Sequence, residues 1–212
     1  MPDKGSGHLY LVPDDGRPMP SDGELIAAFL RDEEWAAAGL WDRFAPLVRR
    51  ILFRALGPGQ DLEDLVQETF LRLYRKLPGL REVDACHGFV VTITTRVLQS
   101  ELRARWVRRW LGLSADGTVP EQAGESADLE ARDALARFYR LLDRLGPQQR
   151  SAFVLRHVEG LELTEVAAAV GVSLATIKRW LPRITRRLHA QAAGDPLLRN
   201  YLADHGLERG AR

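Results

Sequence analysis

The chain of 212 residues has a single cysteine, Cys86, and only two methionines. One thiol cannot close an intrachain disulfide, which fits a reducing compartment, and it leaves no cysteine spacing on which to build a zinc site. No apolar run is long enough to cross a bilayer, so membrane insertion is not expected. Residues 1–20 lack an apolar core and carry Asp3, Asp14 and Asp15. They read as a mobile tail rather than a signal peptide. Alternating apolar and polar residues in paired segments are missing, as are internal repeats and low-complexity runs. A catalytic constellation is missing too: the five histidines (8, 87, 157, 189 and 205) are scattered. No metal ligand set and no cofactor motif is recognised.

What is present is helical periodicity and an uneven distribution of charge. The formal net charge is only +1. Yet Arg96 to Trp110 holds five arginines (96, 103, 105, 108 and 109) against Glu101. Thr176 to His189 holds Lys178, Arg179, Arg183, Arg186 and Arg187 with no acid, whereas Asp61 to Phe70 holds Asp61, Glu63, Asp64 and Glu68 with no cation. Two basic patches and one acidic patch suggest a polyanionic ligand and a separate protein partner; solvated helix faces are the plainer reading of any one patch.

Apolar spacing predicts a short helix around Leu25, Ile26, Phe29 and Leu30, helices near 35–56, 61–77 and 88–111, then near 127–144, 147–158, 164–170 and 174–190. The β-branched start of the fourth (Val90 to Thr95) would suit a strand, but nothing nearby offers a partner strand. Pro46 predicts a kink or break in the second helix. Gly146 is expected to end one helix and Pro147 to start the next. Ser114 to Ser126 contains one large apolar residue, Val119, and reads as a linker. The expected fold is all-α: two small helical domains joined by a flexible linker.

Between Leu163 and Pro182 the spacing fits a helix-turn-helix. Ala167 is small, Gly171 suits a turn with positive φ, and Val172 and Ile177 would pin the second helix to the first. Ser173 is a good N-cap. The outward residues of that second helix would be Ser173, Leu174, Ala175, Thr176, Lys178, Arg179 and Arg183, placed to reach base edges and phosphates. A tight helical hairpin that binds nothing has the same spacing, but the run of cations favours DNA. Pro182 falls inside this helix, where it costs roughly 3 kcal/mol, so a kink or break near 179–182 is expected.

Asp61 is expected to cap the helix that follows, with Asp64 in its first turn. Leu62, Leu65, Val66, Thr69 and Leu73 would form the buried stripe. Asp64, Gln67, Glu68 and Arg72 would face away, with a Glu68–Arg72 pair worth about 0.3–0.5 kcal/mol. A solvated face explains this without a partner.

The order of these parts resembles the sigma-70 family of bacterial RNA polymerase sigma factors, of the extracytoplasmic-function (ECF) type. Asp61-Leu-Glu-Asp-Leu-Val-Gln-Glu-Thr-Phe-Leu-Arg-Leu-Tyr74 resembles region 2.2. Leu145-Gly-Pro-Gln-Gln-Arg150, Leu155, Glu159-Gly-Leu and the helix-turn-helix resemble region 4. The resemblance implies region 2 at 21–112, a linker at 113–127 and region 4 at 128–190, between tails at 1–20 and 191–212. It implies a cytoplasmic protein that binds core RNA polymerase through Asp64, Gln67 and Glu68 with Leu65 beneath. Arg96, Ser100, Arg103, Arg105, Arg108 and Arg109 would serve −10 DNA, the helix from Ser173 would serve −35 DNA, and an anti-sigma factor would be a further partner. It implies no enzyme activity of the chain itself.

Trp106 and Trp110 are available for stacking on unpaired bases; core packing or anchoring of the linker is the other use for them. The family's usual Asn and Asp on the fourth helix fall here on Arg96 and Ser100, and its tryptophan near Phe89 is a phenylalanine, which puts the usual −10 readout in doubt. A conventional helix-turn-helix regulator, or a core-binding protein that melts DNA weakly, stays open as an alternative. Cys86 reads as a small buried core residue rather than a redox switch.

Overall fold

Ser21 opens the first helix by a reciprocal cap: its hydroxyl accepts from the Glu24 N–H at 3.2 Å, and the Glu24 carboxylate accepts from the Ser21 N–H at 2.7 Å. A computed structural model of the chain describes residues 20–57, 61–80, 82, 85–111, 129–196 and 198–199. The expected tail (bar residue 20) and linker lie outside the described residues. Four helices form the N-terminal half: α1 (Asp22–Leu30), α2 (Glu34–Leu56), α3 (Leu62–Lys76) and α4 (Cys86–Trp110). The C-terminal half holds α5 (Leu129–Leu142), α6 (Pro147–Phe153), a π turn (Val154–Val158), α7 (Leu163–Val170) and α8 (Leu174–Ala192). Apart from a 3₁₀ turn at Leu77–Gly79, the regular elements among the described residues are these helices, and none is a strand.

α2 is the central element of the first half. Leu40, Phe44, Val48, Leu52 and Leu56 recur every four residues and are all buried. Trp41 packs on Phe70 with ring centroids 4.4 Å apart, and Phe29 stacks on Tyr74 at 5.2 Å. The Tyr74 hydroxyl donates to the Ala37 carbonyl at 2.7 Å, and burial pushes its phenol up to about 12. α4 stays helical through its β-branched start, where Val90, Val91, Ile93 and Val97 are buried, and Thr92, Thr94 and Thr95 satisfy their hydroxyls by donating to the carbonyls four residues back, at 2.7–2.8 Å. Cys86 is buried, and burial raises its thiol to about 11, so it is an inert core residue.

Local expectations at four positions are corrected. Neither proline breaks its helix: α2 runs through Pro46 and α8 through Pro182. Both prolines are exposed, so the carbonyl each leaves without a donor lies on the solvent side. Around Pro182, the buried Leu181, Ile184 and Leu188 hold the helix together. At about 1.5–3 kcal/mol each, that burial exceeds the roughly 3 kcal/mol penalty. Asp61 makes no side-chain cap, because its backbone (φ −86°, ψ 3°) is not in the extended region a capping residue needs. Gly146 ends no helix. α5 stops at Leu142, and Gly146 is the N-cap of α6 with Pro147 following.

The two halves pack on each other. Ile51 and Val91 lie in one buried cluster with Leu155, Val166, Val170, Ile177 and Leu181. α4 rests on α6 and α7, and α2 on the π turn. Gln99 donates to the Val170 carbonyl at 3.3 Å. Arg150, 3% exposed, donates from Nε to the Ala55 carbonyl at 2.7 Å and pairs with Asp143. The carboxylate of Glu159, 2% exposed, accepts from Arg50 at 2.9 Å and Arg54 at 3.3 Å.

Candidate nucleic-acid and partner interfaces

α3 presents the acidic face. Val66, Thr69 and Leu73 are buried and Leu62 and Leu65 half-buried, so the amphipathic stripe lies where the periodicity puts it. Asp64 and Gln67 are exposed, with Glu68 half-buried beside them. Glu68 accepts from Arg72 Nε at 2.6 Å, the i, i+4 pair expected from spacing. Asp64 has no ion partner among the described residues. Leu71, half exposed, lies one turn beyond Gln67 on the same face and escaped notice as an ordinary apolar residue. The spacing 64, 67, 71 was the signal for it. Glu63 is turned away to Arg49, which donates to it at 2.7 and 2.8 Å and holds its carboxyl below the usual range.

α4 divides its six candidate DNA contacts in two. At 3.6 residues per turn, Arg96, Ser100, Arg103, Val107 and Trp110 share about 80° of arc. All five are exposed, and the two arginines have no ion partner among the described residues. Arg105, Arg108 and Arg109 fall on the other side. Glu101 accepts from Arg105 at 2.7 Å and Arg108 at 2.8 Å, while Arg109 reaches Asp143 at 3.3 Å and Arg105 approaches the Leu56 carbonyl at 3.4 Å. Arg105 and Arg109 tie the end of α4 to its surroundings, while Arg108 pairs within the helix. Trp106 (59% exposed) and Trp110 (77%) are not core residues, so the core-packing alternative does not hold; anchoring of the linker falls on segments outside the described residues.

α7 and α8 form the helix-turn-helix. Gly171 takes the turn with φ +78°, and the Val172 N–H reaches back to the Ala167 carbonyl at 3.1 Å. Ser173 caps α8: its hydroxyl accepts from the Thr176 N–H at 3.2 Å and lies 2.9 Å from the Thr176 hydroxyl. Ser173 and Thr176 therefore use their hydroxyls on each other, and Leu174 is half-buried against the second cluster. Ala175, Lys178, Arg179 and Arg183 are left outward, with Pro182 among them. Arg186 continues this face one turn on and approaches the Pro182 carbonyl at 3.4 Å. It was visible in the cation run but lay beyond the expected break at Pro182.

Among the described residues, no group of three histidine, cysteine, aspartate or glutamate side chains is placed to hold a metal ion, and no helix is long and apolar enough to cross a membrane.

Comparison with known proteins joins these faces. The Sigma-70 region 2 profile matches residues 40–108, and the Sigma-70, region 4 profile matches 135–188. The ECF RNA polymerase sigma factor SigE of Mycolicibacterium smegmatis is 33% identical over 95% of this chain and 77% of its own length. The ECF RNA polymerase sigma factor EcfG of Rhodopseudomonas palustris is 30% identical over 76% of this chain and 83% of its own. Among solved structures, CnrH in complex with the cytosolic domain of CnrY shares the fold, with a TM-score of 0.59 at 22% identity over 82% of this chain and 98% of that one. The sigma factor RpoE of Bartonella quintana, bound to the anti-sigma factor NepR, superposes with a TM-score of 0.54 at 25% identity, over 73% of this chain and 95% of that one. The chain belongs to the sigma-70 family of RNA polymerase sigma factors, of the ECF type: subunits that bind the core enzyme and direct it to promoters.

Proposed function

We propose that the Asp64–Gln67–Glu68 face of α3, with Leu65 beneath and Leu71 alongside, docks on core RNA polymerase. In the same reading, Arg96, Ser100 and Arg103 of α4 engage −10 DNA, and Ala175, Lys178, Arg179 and Arg183 of α8 enter the major groove at −35. Residues 21–112 and 128–190 are the units that carry these contacts. The observation that carries the reading is charge pairing. Among the described residues, the two outward basic stripes hold cations with no ion partner, while arginines elsewhere on α2 and α4 are ion-paired. The chain itself catalyses nothing in this scheme; nucleotidyl transfer belongs to the polymerase, and the chain works in the cytoplasm. CnrH was solved in complex with the cytosolic domain of CnrY and RpoE in complex with the anti-sigma factor NepR, and by analogy an anti-sigma factor is a partner of this chain too.

Engaging both elements requires the halves to part. Elements centred near −10 and −35 lie about 25 base pairs apart, roughly 85 Å of duplex at 3.4 Å per pair. Here α4 and α7 touch, and a compact body of this length has a radius of gyration of only about 17 Å. The packed arrangement is therefore a resting form, and core binding separates it.

Gel filtration with sigma-free core polymerase tests the docking face. Wild type co-elutes with core. The double reversal Asp64→Lys, Glu68→Lys abolishes co-elution with unchanged helicity and unchanged affinity for duplex DNA. A wild-type protein that binds DNA but not core would instead be a helix-turn-helix regulator.

A further inference from the structure

A third basic cluster lies away from both DNA stripes. Arg137, Arg140 and Arg144 follow one another at helical spacing and line a cleft of about 280 Å³ between α5 and the end of α8. That is just under the roughly 300–1,000 Å³ of most ligand pockets, so it suits a ligand of few atoms. The three cations are not equivalent. Arg137 is spent within the chain, on Asp133 at 2.5 Å and Asp195 at 2.7 Å. Asp195 also lines the cleft and is spent as well: its other carboxylate oxygen accepts from the Leu198 N–H at 3.3 Å. Arg140 and Arg144 are exposed, and their side chains have no ion pair or hydrogen bond among the described residues. The buried Leu141 and Leu198 supply an apolar floor. Gln191 forms the α8 wall, and its carboxamide oxygen is buried with no hydrogen-bond partner among the described residues. Gln191 lies about 180° round α8 from Pro182, so the cleft is on the side opposite the outward face.

Each part of this lining calls for a different part of a ligand. Two open guanidiniums suit a dianion, and phosphate oxygens match the forked donors of arginine. A phosphomonoester carries close to two negative charges at pH 7. The leucine floor suits carbon rather than a second charged group, so a bare inorganic anion leaves it uncovered. A carboxamide oxygen accepts only, and a hydroxyl on that carbon body supplies the donor it needs. We propose that the cleft between α5 and the end of α8 binds a small phosphomonoester whose carbon body carries a hydroxyl. Arg140 and Arg144 hold the phosphate, Leu141 and Leu198 cover the carbon, and Gln191 takes the hydroxyl. The site depends on the assignment of neither DNA stripe. A ligand there bridges α5 and α8 and stabilises the C-terminal half from the side away from its outward cations.

The test titrates the full chain, by calorimetry at fixed ionic strength, with three probes: glycerol 3-phosphate, n-propyl phosphate and inorganic phosphate. Glycerol 3-phosphate binds one per chain and at least about tenfold tighter than inorganic phosphate, with propyl phosphate between them. Arg140→Ala with Arg144→Ala lowers the affinity for both esters by about tenfold or more at unchanged helicity. Gln191→Leu removes the advantage of glycerol 3-phosphate over propyl phosphate and leaves propyl phosphate where it was. Lys178→Ala with Arg179→Ala, on the opposite side of α8, changes none of these affinities. If the esters bind no tighter than inorganic phosphate, or if the Lys178 and Arg179 pair weakens them as much as the Arg140 and Arg144 pair does, the chain merely attracts anions and the proposal fails. Equal affinities for the two esters in the wild type would remove Gln191 from the site and overturn the hydroxyl requirement. If the Arg140 and Arg144 pair loses co-elution with core polymerase while ester binding is intact, the cleft is a protein surface and the proposal is overturned.

Discussion

α4 has two faces made from the same residue types, and they do opposite things. On one side Arg105 and Arg108 are neutralised by Glu101. On the outer side Arg96 and Arg103 are exposed and unpaired. Sequence distance does not separate them, since Arg103 and Arg105 are two residues apart. What separates them is whether a carboxylate or carbonyl of this chain already takes the guanidinium. A paired, shielded arginine builds the molecule, and an unpaired one in water is available to a ligand. The same division holds between Arg150, closed between Ala55 and Asp143, and Arg179, open on α8.

The largest effect expected from breaking this division lies at Arg150. Arg150→Ala removes a charge-assisted bond to the Ala55 carbonyl, breaks the Asp143 pair and leaves a cavity. Asp143 is 41% exposed and can be solvated, so the cost falls at about 3 kcal/mol rather than the upper end for a buried pair. Urea unfolding measures it. Arg96→Ala with Arg103→Ala moves the same curve by less than about 0.5 kcal/mol. Equal losses in the two proteins would erase the distinction between the faces.

Glu159→Lys sharpens the comparison at the contact between halves. It sets a third cation against Arg50 and Arg54 in a site that excludes water from the carboxylate. Small-angle scattering then reports a larger radius of gyration with unchanged far-ultraviolet dichroism. An unchanged radius would mean that apolar contacts such as Ile51 and Val91 on Leu155 hold the halves without the ion pairs.

Much of the local structure was legible in the sequence because its causes are local. Gly171, Ser173 and the Glu68–Arg72 pair all act within four residues, and periodicity located the helices. The contact between the halves was not legible. Gln99 with Val170 and Arg150 with Ala55 join residues 71 and 95 positions apart, and no spacing rule marks them. The basic run at 96–109 was read as one patch for the same reason: charge can be counted along a chain, but a partner such as Asp143 comes from another element. No break appears at Pro182 because the helix penalty is local and the burial that outweighs it is not.

Pro182→Ala tests that balance. The substitution restores an N–H donor to the exposed Lys178 carbonyl in a helix that is already continuous, so it stabilises the chain by about 1–3 kcal/mol, seen as a higher Tm. It also changes the centre of the outward face. A rise in stability with altered −35 affinity would show the proline kept for DNA contact, and a fall in stability would show that α8 depends on a bend there.

The smallest effects separate the cap of α8 from its outward cations. Ser173 bonds the Thr176 N–H and hydroxyl, whereas Lys178, five residues on, has no partner of its own among the described residues. Ser173→Ala should therefore cost about 1 kcal/mol of folding stability, the usual worth of an N-cap. The salt slope of duplex binding stays where it was. Lys178→Ala should leave stability within about 0.5 kcal/mol and reduce that slope by about one, the signature of one lost phosphate contact. Each variant is the control for the other. If Ser173→Ala also flattens the slope, its hydroxyl reaches DNA as well as the helix end. If Lys178→Ala destabilises as much as the cap variant, that lysine belongs with Arg150 among the residues that build the molecule.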